Sequence, residues 1–249
     1  MLKKSLVVCL VIVSVIIIYL WLVNWSIYYR IGSAGLKAID IQNSYIFNKQ
    51  TTGSSSLIYV ALGDSLTAGA GASSYNEYYP YLIAERLADT ATQVSYFNYS
   101  YLGAKTSDLI NNLLTQAIVK NPDVVTILIG TNDVYDNISK TEFQRNYEII
   151  ITEIKTKTKA KINIISIPNI GVNSLFLPPF NYYYQARTAN FNKIIKELTI
   201  KYNLNYIDLT TPTAQYTSKM SSYYSADGFH PSSLGYKYWS KIIYDNLNK

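Results

Sequence analysis

The eight residues from Asp123 to Gly130, DVVTILIG, contain six consecutive apolar or β-branched positions and then stop at a glycine. A run this short and this continuous reads as a strand covered on both faces, because a half-exposed strand would alternate polar and apolar residues. Similar runs recur along the chain as LIYVAL from Leu57, QVSYFNY from Gln93, KINIISI from Lys161 and LNYIDL from Leu204. Between them the apolar residues change to helical spacing. Tyr78 to Ala88 reads as one helix, Leu109, Leu113 and Leu114 lie on another, and Phe143, Tyr147, Ile150, Ile151 and Ile154 mark a third. Phe191, Ile194, Ile195 and Leu198 mark a fourth, and a last helix follows Pro231. Doubly buried strands alternating with helices predict a three-layer α/β domain on a parallel sheet.

That domain begins only after an unusual amino-terminal segment. From Leu6 to Val23 the chain reads LVVCLVIVSVIIIYLWLV, with Ser14 its only clearly polar side chain. Eighteen residues at helical rise cover about 27 Å, close to the hydrocarbon thickness of a bilayer. Trp21, Trp25, Tyr28 and Tyr29 follow where interfacial aromatics belong, and Lys3 and Lys4 precede the run. The segment predicts a single transmembrane helix whose amino terminus stays in the cytoplasm, with the folded domain outside the cell. The alternative is a signal sequence removed on secretion, although the apolar stretch exceeds the usual signal core. The expected organisation is an anchor over residues 1–25, a stalk over 26–56 ending in NKQTTGSSS, and one folded domain over 57–249.

The composition narrows the partners. The formal net charge of +6 is not gathered into a Lys/Arg run, so no nucleic-acid partner is expected. The single Cys lies in the apolar segment, and one His remains for the whole chain. With so few nitrogen and sulfur ligands and no spaced acidic cluster, neither a metal nor another cofactor is expected. Tyrosine is abundant at 25 residues, and many are expected to cover a polar-edged surface.

In a parallel sheet the working residues collect at the carboxyl ends of the strands. Ser65 stands just past the first strand, Gly103 past the second, and Gly130, Thr131, Asn132 and Asp133 past the third. His230 precedes Pro231 at the entrance of the last helix, with Asp227 three residues before it. Pro231 suits the first helical position and disfavours helical geometry at His230. Taken singly, these are ordinary features: GDS is a strand-to-helix turn, GTND a self-capped turn, and Asp-Gly a turn pair. Together they supply a hydroxyl nucleophile, a base to take its proton and a carboxylate to orient that base. The backbone N–H groups of Ser65 and Gly103 and the side-chain amide of Asn132 are candidate donors to an oxyanion. Asp64 and Asp133 read as residues that hold the loops.

These blocks, in this order, resemble the GDSL or SGNH hydrolase family. ALGDSLTAGAG resembles its first block with Ser65 as nucleophile, FNYSYLGAKTSDL is similar to the second with Gly103, and ILIGTNDV resembles the third with Asn132. DGFHPSSLGY resembles the last, with Asp227 and His230 completing the triad. Lys105 departs from the pattern, standing where a small or hydroxyl residue is commoner. The resemblance runs from about Leu57 to the end and implies a flavodoxin-like SGNH hydrolase domain with metal-free esterase or lipase chemistry.

The expected function is therefore that of a membrane-anchored serine hydrolase cleaving carboxylic esters outside the cytoplasm through an acyl-enzyme on Ser65. The substrate would be a small-molecule, lipid or polysaccharide ester. The alternatives are an acyltransferase or deacetylase acting on O-acyl groups of a wall or surface polysaccharide, and, less consistent with a full set of site residues, a non-catalytic binding module. The segment PNIGVNSLFLPPFNYYY, from Pro168 to Tyr184, reads as a non-helical loop over the reactive edge. Its Leu175, Phe176, Leu177 and Phe180 are candidates for the wall of an acyl pocket.

Overall fold

In a computed structural model, residues 2–33, 44–48, 55–169, 175–214 and 222–247 are described. The expectations for residues 34–43, 49–54 and 170–174 lie outside them.

Among the described residues, six strands form one sheet: β1 Ser44–Asn48, β2 Ser56–Gly63, β3 Gln93–Ser100, β4 Val124–Leu128, β5 Lys161–Ile165 and β6 Asn205–Ile207. Their order is β1-β3-β2-β4-β5-β6. β2 to β6 pair in parallel, as the buried runs predict. Numbered from β2, the parallel strands stand 2-1-3-4-5, the flavodoxin-like order. β1 adds an edge strand to the parallel sheet. It lies in the segment read as a stalk, and it runs antiparallel to β3, so the sheet is mixed. Among the described residues only one edge of the short SYIFN segment is paired. Tyr45 and Phe47 meet Tyr81 on one face while Ile46 is exposed. Such a strand is defined by the edge it joins, and its own sequence carries little period.

The helices are α1 Leu2–Ser33, α2 Ser65–Ala68, α3 Tyr79–Leu87, α4 Thr106–Asp108, α5 Leu114–Val119, α6 Thr131–Tyr135, α7 Lys140–Lys157, α8 Phe180–Tyr202, α9 Thr210–Ala214 and α10 Ser233–Asp245. A π-helical turn, Leu109–Leu113, joins α4 to α5. Alternate residues of β2 divide the core. Tyr59 and Ala61 pack with Ile83, Leu87, Tyr236 and Trp239 of α3 and α10. Val60 and Leu62 pack with Leu114, Ile150, Ile151 and Phe191 of α5, α7 and α8. Phe143, Tyr147, Ile150, Ile151 and Ile154 are all buried, as the spacing along α7 predicts. Each such side chain contributes roughly 1.5–3 kcal/mol when fully buried.

Tyrosine behaves differently from expectation. Tyr59, Tyr78, Tyr79, Tyr96, Tyr147 and Tyr236 are among the largest fully buried side chains. Most of their hydroxyls are partnered inside the core. Tyr59 Oη pairs with Thr126 Oγ1 at 2.8 Å, Tyr79 Oη with Thr67 Oγ1 at 2.8 Å, and Tyr236 Oη donates to Ala70 O at 2.8 Å. A satisfied hydroxyl lets a large ring be buried without the cost of an unpaired polar atom.

Two local expectations also change. α8 begins at Phe180, directly after Pro178 and Pro179, so residues 180–184 are helical and belong to no loop. Pro231 is not the first helical residue. Ser232 caps α10 by accepting from Gly235 N at 3.2 Å, and Pro231 pairs with Tyr224 in an antiparallel bridge.

Candidate active site

The site lies where the strand order reverses, between the carboxyl ends of β2 and β4. β2 comes so close to its neighbours at Gly63 that an added Cβ would meet Thr67 Oγ1 at 2.0 Å and Leu128 O at 2.3 Å. Only glycine fits there. Asp64 then caps the short α2, its Oδ1 accepting from Leu66 N at 3.0 Å, and Ser65 becomes the first helical residue. At that position no preceding carbonyl of the helix reaches the Ser65 N–H.

The loop from Tyr223 to Ser232 folds back on itself. Ser225 N donates to His230 O at 2.8 Å and Ser232 N to Tyr223 O at 2.9 Å. This brings His230 Nε2 to 2.9 Å from Ser65 Oγ, and His230 Nδ1 to 2.5 Å from Asp227 Oδ2. A carboxylate only accepts, so Nδ1 carries the proton, and the Nε2 lone pair accepts from the serine hydroxyl. Asp227 Oδ1 accepts in addition from Ser225 Oγ at 2.6 Å, Phe229 N at 2.8 Å and His230 N at 3.0 Å. Burial alone would raise the Asp227 pKa. The bonds and charge of His230, with those of Ser225 and Phe229 N, outweigh it and hold the carboxyl below its ordinary value. Ser225 and Phe229, whose ring stands edge-on to His230 at 4.9 Å, carry no sequence signal beyond their nearness to His230.

The other loops are tied to one another. Asn132 Nδ2 donates to Ala104 O at 2.9 Å, which fixes the amide and leaves its second hydrogen uncommitted to that bond. Asp133 Oδ1 accepts from Thr106 Oγ1 at 2.5 Å and Oδ2 from Thr106 N at 3.0 Å. Asp64 and Asp133 thus hold loops, as the sequence suggests. Burial pushes the Asp64 carboxyl up to about 7, against the opposing bond from Leu66 N and the nearness of Thr131, with the Asp133 charge adding to the rise. Asp64 Oδ2 has Thr131 as neighbour but forms no bond of ordinary geometry. Lys105, the departure in the second block, turns outward to Asp136 Oδ2 at 3.1 Å. Gly103 sits at φ +79 on an exposed turn, with open space where a Cβ would stand.

The four candidate pocket residues separate. Leu175 and Phe176 are buried, Phe176 packing on Tyr184 at 5.0 Å and on Phe229 at 6.2 Å. Leu177 is exposed, and half-buried Phe180 starts α8. A narrow cavity beside the triad is lined instead by Leu66, Thr131, Pro168, Asn169, Phe229 and Pro231, among others.

A serine, an imidazole and a carboxylate in series at the switch point of a flavodoxin-like sheet define the architecture of an ester hydrolase. The chain belongs to the GDSL-like lipase/acylhydrolase family, whose model matches residues 61–238. It is similar to the spore germination lipase LipC of Bacillus licheniformis, 25% identical over 205 residues that cover 75% of this chain and 94% of that protein. A lipase/acylhydrolase from Enterococcus faecalis superposes with a TM-score of 0.63 at 27% identity, covering 76% of this chain and 94% of the other. A variant of Axe2, an acetyl xylan esterase from Geobacillus stearothermophilus, shares the fold with a TM-score of 0.64 at 18% identity, covering 79% and 96%. The chain is an enzyme acting on ester bonds.

Proposed function

We propose that this enzyme is a membrane-anchored esterase working outside the cytoplasm through an acyl-enzyme on Ser65. The observation that carries the reading is the continuous series from Ser65 Oγ through His230 to Asp227. His230 Nε2 takes the hydroxyl proton as Oγ attacks the ester carbonyl, and Asp227 stabilises the imidazolium that forms. The same proton then passes to the leaving alcohol. Water repeats the sequence in reverse, giving His230 a proton, attacking the acyl carbonyl and returning Oγ to its hydroxyl form. The Ser65 and Gly103 N–H groups and the Asn132 amide act as donors to the oxyanion in both halves.

The anchor rests on α1. The most apolar 18 residues within Lys4–Ile27 have a mean hydropathy of 3.2, and the side chains from Leu6 to Leu22 are largely exposed. Trp21, Trp25 and Tyr29 stack along an exposed stripe, as interfacial aromatics do. Lys3 and Lys4 at the other end favour a cytoplasmic amino terminus.

The test is a series of p-nitrophenyl esters of rising chain length, with and without a carbohydrate acceptor, on the wild type and Ser65→Ala. Wild-type turnover with loss of about a millionfold in the variant is expected. Acyl transfer outpacing hydrolysis when the acceptor is present would make the enzyme a transferase on the same site. Retained turnover in Ser65→Ala would overturn the mechanism.

A further inference from the structure

α1 does not stand clear of the catalytic domain. Val23 and Ile27 are buried in the core on the α5, α7 and α8 side of the sheet. Tyr19 Oη donates to the carbonyl of Pro178 at 2.8 Å. Between these contacts a cavity of about 490 Å³ is lined by Leu20 and Asn24 of α1 and by Tyr135, Pro179, Phe180 and Tyr184 of the domain, among others.

This docking has a consequence for depth. Measured at helical rise from Lys4, a bilayer core of about 30 Å ends near Asn24. Tyr19 then lies about 22 Å along the axis, inside that limit, and it brings the Pro178 carbonyl to its own level. A backbone carbonyl at such a depth needs an internal donor, and Tyr19 is that donor. The side chains next to it suit the same environment: Leu177 is 48% exposed, Tyr182 67% and Tyr183 44%. They leave the domain at the carboxyl edge of the sheet, the edge that carries Ser65.

We propose that Leu177, Tyr182 and Tyr183 form, with the adjoining face of α1, one continuous surface that enters the outer boundary of a lipid bilayer. The inference rests on reading α1 as a membrane anchor. The domain is thereby held against the membrane by its catalytic edge and has no freedom to swing on a tether. Esters presented in the plane of the bilayer reach the Ser65 edge from the side on which the domain rests.

The test uses the full chain with Cys9→Ser, carrying single cysteines at Leu177→Cys, Tyr182→Cys, Val119→Cys or Ile200→Cys. Val119 and Ile200 are exposed and end α5 and α8 near the opposite edge of the sheet. Each variant is labelled with an environment-sensitive fluorophore and reconstituted in phosphatidylcholine–phosphatidylglycerol vesicles containing lipid spin-labelled near the headgroup. Blue-shifted emission at 177 and 182, quenched severalfold more than at 119 and 200, is expected. Vesicle flotation of the chain with all four positions equally water-exposed overturns the surface and leaves the anchor standing. Failure of the chain to float with vesicles overturns the anchor, and the surface with it.

Discussion

The side-chain amide of Asn132 donates to the carbonyl of Ala104 at 2.9 Å, so the loop after β4 and the loop after β3 are joined at the candidate oxyanion site. The bond immobilises the amide before substrate arrives, and preorganised donors stabilise developing charge most. Asn132→Ala is expected to lower kcat by roughly a hundredfold to a thousandfold, with a small change in KM. Steady-state kinetics on one soluble ester separates the two. A large rise in KM at unchanged kcat would make Asn132 a ground-state binding residue.

Ser225 acts on the triad at one remove, through its 2.6 Å bond to Asp227 Oδ1. A hydrogen bond to a charged group is worth about 1.5–3 kcal/mol. Ser225→Ala should therefore lower kcat/KM by roughly tenfold to a hundredfold. Because that bond helps to keep the Asp227 pKa low, its loss should also move the acid limb of the pH–rate profile upward. An unmoved acid limb would leave Ser225 with a purely structural role.

Asp64 should make stability pH-dependent in an unusual direction. Its carboxyl titrates near 3.8 when unfolded and at about 7 when buried in the fold. Between those values the folded state holds the extra proton, so stability falls as pH rises, by a total on the order of 4 kcal/mol. Asp227 acts oppositely: its lowered pKa contributes stability above its unfolded value that is lost as pH falls. Asp64→Asn keeps an acceptor for Leu66 N and should flatten the decline in Tm between about pH 5 and 7. Parallel Tm curves for wild type and variant would refute this assignment.

The two glycines flanking the site should respond differently to alanine. At Gly63 the new methyl would overlap Thr67 Oγ1 and the Leu128 carbonyl, with a cost of several kcal/mol. At Gly103 nothing blocks it, and only the left-handed backbone at φ +79 opposes it, for about 1–2 kcal/mol. Denaturant unfolding of Gly63→Ala and Gly103→Ala measures both, and equal losses would contradict the packing described at Gly63.

The sequence by itself determined which segments are buried on both faces and which residues end them. The run from Val124 to Ile129 could be covered only inside a sheet, and the stops at Gly63 and Gly130 put Ser65 and Asn132 in the first turns of short helices at one edge. Asp227 and His230 were legible as a pair because they stand three positions apart, a distance that one turn closes. Tertiary structure alone decided what lies far apart in the chain. The bond from Ser65 to His230 spans 165 residues, and that from Tyr19 to Pro178 spans 159. Tyr59 is buried because Thr126, 67 residues away, satisfies its hydroxyl, so its type alone did not tell core from surface. β1 became a strand because β3 offered it a free edge, and α1 joined the core because Val23 and Ile27 met apolar side chains of a separate part of the chain. Hydrophobic periodicity reports that a face is covered, and the partner that covers it is fixed only when the whole chain has folded.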